Sequence, residues 1–136
     1  MNLLEWNESK HSVNVLNFDN DHKKIFELLN NLYNKMATGE GASIITSVLN
    51  ETKDWGSKHM KAEEELMERY CYPDRDNHKK EHDFFKAKVG RFIESLNNGN
   101  KQISVESFFF LKDWFNNHIL ETDKKYVDFF HKKGIH

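Results

Sequence analysis

Apolar residues recur at alternating three- and four-residue spacing along four long stretches of this chain. The first carries Phe18, His22, Ile25, Leu29, Leu32 and Met36. The second carries Ile45, Val48, Leu49, Thr52, Gly56, His59, Glu63, Leu66 and Tyr70; the third His78, His82, Phe85, Val89, Phe92 and Leu96. The fourth carries Val105, Phe108, Leu111, Phe115, His118, Thr122 and Phe129. This is the period of amphipathic helices, each with one face turned to a core. The spacing predicts helices over about 19–37, 43–70, 75–97 and 104–131, preceded by an arm over 1–17. Trp6, Val13 and Leu16 are expected to pack that arm onto the rest. Asn17 or Asp19 can cap the first helix and Ser104 the fourth. Gly39 and Gly41 end the first helix, the single proline Pro73 closes the second, and Gly134 lies beyond the fourth. Short connections between four such helices favour an all-α, up-down-up-down four-helix bundle, with residues 1–136 as one domain.

The stripes are not purely apolar. His22, His59, Glu63, His78, His82, His118 and Asp123 fall where greasy residues belong. An unpaired buried polar group costs a few kcal/mol and a bare charge more, so a set of them implies something for all to bind. The bundle topology puts the starts of helices one and three beside the ends of helices two and four. At ~1.5 Å rise per residue, all seven then lie within roughly two or three turns of the same end and can meet in one layer. His59 with Glu63, and His78 with His82, are spaced i, i+4 and share a helix face. His118 and Asp123 are five apart, which needs a local bulge or a carboxylate reaching sideways; spacing alone does not choose Asp123 over Glu121. Seven donors exceed what one tetrahedral zinc takes. Imidazoles with carboxylates suit iron, and two carboxylates can bridge two ions. The Glu-x-x-His pairs of ferritin-like di-iron bundles are absent. Few anionic ligands favour reversible binding over strongly oxidised states.

Composition narrows the alternatives. The net charge is -2 with 31% charged residues, and positive charge is neither in excess nor clustered, so no nucleic-acid partner is expected. With one cysteine, Cys71, no internal disulfide forms. Neither a leader nor a membrane span is visible at the sequence level. The expectation is a soluble cytoplasmic protein, its protein partners left open. His11, His131 and His136 lie off the stripes and are expected to be exposed, as are Glu64 and Glu65, with Glu64 the candidate to support a ligand.

Asp19-x-x-His22, His59-x-x-x-Glu63-Glu64-x-x-Met67, Tyr72-Pro73 before His78-x-x-x-His82, and Trp114-x-x-x-His118-Ile119-x-x-x-Asp123 together resemble the bacterial hemerythrins, from about Trp6 to Phe130. The resemblance implies a non-haem di-iron centre, Fe2+ or Fe3+ with an oxo or hydroxo bridge, that binds O2 reversibly for storage, delivery or sensing. It implies that His78, His82 and His118 hold one iron. His22 and His59 hold the other, with its open position for O2 or small anions, and Glu63 and Asp123 bridge both. Two ferrous ions, two carboxylates and one hydroxide leave about +1 when the imidazoles are neutral. Met60, Leu66, Trp114, Phe115 and Ile119 are the expected apolar wall of the O2 pocket. Met60 stands where the family often has Phe, Phe115 where it often has Leu, and Asn14 and Asp21 where Gly and Gln are frequent. The bulk of Phe115 is expected to narrow the route to the metal. An O2 binder turns over no substrate; the rival readings are a di-iron oxidase, peroxidase or nitric-oxide handler, an iron store or buffer, and a metal-free interaction module.

Overall fold

A computed structural model describes residues 3–99 and 103–136. Among them the regular structure is all helical: α1 (Glu8–His11), α2 (Leu16–Ala37), α3 (Ala42–Arg69), α4 (Arg75–Asn97) and α5 (Ile103–Asn117). A π-helical turn (His118–Thr122) and a 3-10 turn (Asp123–Tyr126) then lead into α6 (Val127–Lys132). The helices pack α2 on α3, α3 on α4, α4 on α5 and α5 back on α2, the closed ring of a four-helix bundle. None of the described helices is long and apolar enough to cross a membrane.

The predicted stripes are the buried faces. Every stripe residue of α4 is buried, from His78 through His82, Phe85, Val89 and Phe92 to Leu96. On α2, Phe18, His22, Ile25, Leu29 and Leu32 are buried and Met36 is half-buried. Two positions of the fourth stripe differ. Val105 is 52% exposed, at the first turn of α5. Downstream, Tyr126 and Phe130 are buried while Phe129 is only half-buried. The reason is the π-turn: one i→i+5 turn rotates all later residues relative to an uninterrupted α-helix.

The helix ends follow local chemistry. Gly39 has φ +73°, and the Glu40 N–H reaches back to Lys35 O, closing α2 with a left-handed C-terminal turn. The same turn ends α3, with Tyr72 N–H to Met67 O, but there the left-handed residue is Cys71 at φ +55°. Neither Asn17 nor Asp19 caps α2, which begins at Leu16 with Val15 as an unassisted N-cap. Ser104 lies inside the first turn of α5; the residues just before Ile103, where a cap would sit, are outside the described set.

Asp19 instead holds the arm. It accepts from Ser12 Oγ at 2.6 Å and from the Val13 N–H at 2.8 Å. Asn30 pairs with both backbone groups of Leu4, at 3.1 and 2.8 Å. Leu4, Val13 and Val15 are buried and Trp6 packs on the core, whereas Leu16 points outward at 65% exposure. His11 is buried, against expectation. Its Nδ1 accepts from the Asn7 N–H, so Nε2 carries the proton and donates to Asn116 Oδ1. Its ring lies between Trp6 and Phe26, at 5.4 and 5.0 Å. His131 is half-buried and hydrogen-bonds Asn14 O, and His136 is exposed.

Candidate metal centre

Two apolar clusters fill the bundle. One holds Ile25, Leu29, Met60, Phe85, Leu111, Phe115 and Ile119 among others. The other holds Val13, Val15, Phe18, Met67, Tyr72, Tyr126 and Phe130. Along the chain, Phe18 and Ile25 flank His22, Trp55 and Met67 flank His59 and Glu63, Tyr72 and Phe85 flank His78 and His82, and Phe115 and Tyr126 flank His118 and Asp123, each pair taking one member from either cluster. A single polar layer is the result, and all seven members are buried.

Within that layer the imidazoles turn Nε2 inward. Ligand atoms of Glu63, His78, His82 and His118 lie within 4.8 Å of one another, and so do those of His22, His59 and Glu63. Glu63 is common to both groups: its Oε1 lies 3.5 Å from His59 Nε2, 3.6 Å from His78 Nε2 and 3.3 Å from His82 Nε2. Asp123 also spans them. Its Oδ1 is 3.1 Å from both His78 and His118 Nε2, and its Oδ2 is 3.3 Å from His22 Nε2. Nε2 atoms of His22 and His59 approach to 2.9 Å, and those of His82 and His118 to 3.2 Å.

The π-turn makes this possible. The Asp123 N–H bonds to His118 O in an i→i+5 step, which sets residues five apart on one face. Asp123, not the exposed Glu121, therefore faces the layer.

This arrangement calls for positive charge. Glu63 Oε1, His78 Nε2 and both oxygens of Asp123 are buried without a hydrogen-bond partner, a costly state for a carboxylate. Burial works against charge on His59, yet the Glu63 carboxylate and the bond to Asp21 outweigh it and raise the group to about 10. Burial likewise opposes charge on His78 and His118, but Asp123 and Glu63 raise the first to about 10, and Asp123 with Glu81 the second to about 9. Burial pushes Glu63 and Asp123 up, and the surrounding imidazoles more than reverse this, holding both well below the usual carboxylate range. Protons can supply the missing charge, and so can cations. Five imidazole nitrogens and two shared carboxylates are a donor set that fits two divalent or trivalent metal ions of the iron type.

The outer edges of the imidazoles are held by acids that the stripes did not single out. His59 Nδ1 donates to Asp21 Oδ2 at 2.8 Å, His82 Nδ1 to Glu64 Oε2 at 2.7 Å, and His118 Nδ1 to Glu81 Oε1 at 3.0 Å. Thr122 Oγ1 also donates to Glu81. Each acid is the chain neighbour of an inward-facing group on its own helix, and each serves the next helix: α2 supports α3, α3 supports α4, and α4 supports the π-turn. Carboxylates in this position fix the tautomer and ring orientation of a metal-binding histidine. Of the pair expected at the surface, Glu64 is thus half-buried in service of His82, and Glu65 is exposed. Tyr126 was also unanticipated; its hydroxyl donates to Glu63 Oε2 at 2.6 Å and its ring stacks on His78 at 5.8 Å.

Four of the five expected wall residues belong to one cluster. Met60, Phe115 and Ile119 are buried in the first cluster, and Trp114 packs against it with its ring stacked on His118 at 4.4 Å. Phe115 packs beside Gly56: a Cβ there would lie 3.4 Å from Phe115 Cζ, in van der Waals contact. Leu66 is placed elsewhere. It packs against the second cluster, which holds Met67 and Tyr126.

The sequence model of the family described as Hemerythrin HHE cation binding domain matches residues 14–130. The bacteriohemerythrin of Methylococcus capsulatus is 32% identical over 126 residues, 93% of this chain and 95% of that protein. The myohemerythrin of Theromyzon tessulatum is 30% identical, covering 90% and 89%. A wild-type hemerythrin crystal structure superposes with a TM-score of 0.87 at 32% identity, covering 93% of this chain and 96% of that one.

Proposed function

The chain belongs to the hemerythrin family, and from that premise we propose that it binds O2 reversibly at two non-haem irons, for storage, delivery or sensing. Hemerythrins are oxygen-binding proteins. The observation that carries the reading is the meeting of seven buried imidazole and carboxylate side chains from four segments, with two carboxylates each facing both histidine groups. In this reading His22 and His59 hold one iron and His78, His82 and His118 the other, while Glu63 and Asp123 join them beside an oxo or hydroxo bridge. Iron held by these residues would supply the electrons that O2 needs, and small anions would compete with O2 for it.

The chain's own residues supply the rest. Asp21, Glu64 and Glu81 keep three imidazoles in the tautomer that presents Nε2 inward. Phe115, Ile119, Met60 and Trp114 keep water from the layer, which favours release of O2 over loss of reduced oxygen. Support for a reducing, cytoplasmic setting comes from Cys71, exposed and free.

Metal analysis joined to visible spectra tests the proposal. Spectra are recorded on reduced protein, after air, and after oxygen is removed. Two irons per chain and a band that appears with air and vanishes on deoxygenation are expected. An iron-replete preparation lacking that reversible band would overturn it.

A further inference from the structure

His22 and His59 both turn Nε2 toward the layer, yet their outer edges are unlike. His22 Nδ1 is buried without a partner. His59 Nδ1 donates to the Asp21 carboxylate. Asp21 precedes His22 on α2, so one helix turn supplies both the first imidazole and the anion behind the second. Among the described residues, His59 is the one ion-pair partner of Asp21. Lys58 is close by but lies over the Trp55 ring, 5.8 Å from its centroid. Asp21 is 31% exposed, at the edge of a 150 Å³ cavity that it lines with Trp55, Lys58, His59 and Ala62. Its charge is thus aimed at one imidazole, and its removal disturbs little packing.

An anionic acceptor on Nδ1 raises electron density at Nε2 and makes the imidazole a stronger ligand. A fixed negative charge also favours the more highly charged of two ions at the same place. We infer that Asp21 is a positioning residue that, through His59, biases the iron held by His22 and His59 toward the ferric state and tightens the grip on that iron. The two irons are then unequal, because Glu64 and Glu81 both serve the other one. The inference rests on the two-iron reading. The step it governs is the loss of one electron from Fe2+ to an artificial redox mediator, giving Fe3+, with no proton leaving His59.

The test uses Asp21→Asn, which keeps a hydrogen-bond acceptor and removes the charge, and Asp21→Glu, which keeps both. Irons are counted, midpoints are read by mediated redox titration, and ferrous affinity is read by chelator competition. In Asp21→Asn the ferrous-to-ferric ratio of that iron at fixed potential rises about tenfold, a shift of about 59 mV for one electron. Ferrous affinity falls about tenfold, and Asp21→Glu stays near the parent. Parent protein holding fewer than two irons would overturn the reading of the site and this inference with it. Two irons and an unmoved midpoint in Asp21→Asn, even with a lowered melting temperature, would overturn the inference alone, leaving Asp21 a structural tie.

Discussion

The Tyr126 hydroxyl donates to Glu63 Oε2 at 2.6 Å, and neither side chain touches solvent. Burial and the nearby Asp123 and Glu63 charges hold the phenol well above its ordinary range, so it stays a neutral donor. Tyr126→Phe strands a buried carboxylate oxygen. A loss of about 1.5–3 kcal/mol is expected, read by chemical denaturation of metal-free protein. An unchanged midpoint of denaturation would mean that Glu63 finds another partner.

Metal removal follows from the same charges. An ion bound only by the folded chain adds its binding free energy to stability, about 2.7 kcal/mol when its free concentration is a hundred times its dissociation constant. Iron-loaded protein should therefore resist denaturant measurably better than chelated protein. Equal denaturation curves would leave the seven buried groups without the role assigned to them.

Phe115 lies against Gly56 on one side and Phe85 on another. Phe115→Leu opens this wall, and O2 association and dissociation should both quicken several-fold in flash photolysis. Rates that match the parent would remove Phe115 from the route.

The π-turn inserts one residue into the fourth helical segment, just before the 3-10 turn. Deleting the exposed Glu121 leaves His118 and Asp123 four apart, again on one face of a regular helix. The shortened chain should still bind two irons. Loss of metal from a folded deletion variant would show that the bulge itself, and not only the shared face, is required.

Cys71 occupies the left-handed position after α3 that suits glycine. Left-handed backbone costs a side-chain-bearing residue roughly 1–2 kcal/mol, and glycine returns part of that as lost entropy. Cys71→Gly should stabilise by about 0.5–1 kcal/mol in denaturant melts, with metal content unaltered. A destabilised variant would show that the thiol makes a packing contribution outweighing the backbone strain.

Periodicity alone locates four helices and all six buried residues of the α4 stripe, because burial on one face writes a period of 3.6 into the chain. It also exposes the seven layer residues as polar intruders, six of them in step with the stripes. Asp123 is different: its place depends on a π-turn, which leaves no periodic trace, so spacing did not choose it over Glu121 and the family motif decided. Phe129 was assigned the face that Phe130 holds for the same reason. Asp19 looked like a cap because it sits near a helix start; the actual start lies three residues earlier, which frees its carboxylate to bind the arm. His11 looked exposed because a short arm has no stripe to read. Asp21, Glu64 and Glu81 are half-buried polar residues on helix flanks, where charged residues are ordinary. The usable signal was their adjacency to His22, Glu63 and His82.

That adjacency bears on anyone who would transplant the centre into another scaffold. Copying seven side chains onto four staves reproduces the donors but leaves three rings free to swivel, since the acid that steadies each belongs to its neighbour upstream. The recipient must wind its helices in the same sense round the barrel, or every borrowed acid will face the wrong companion.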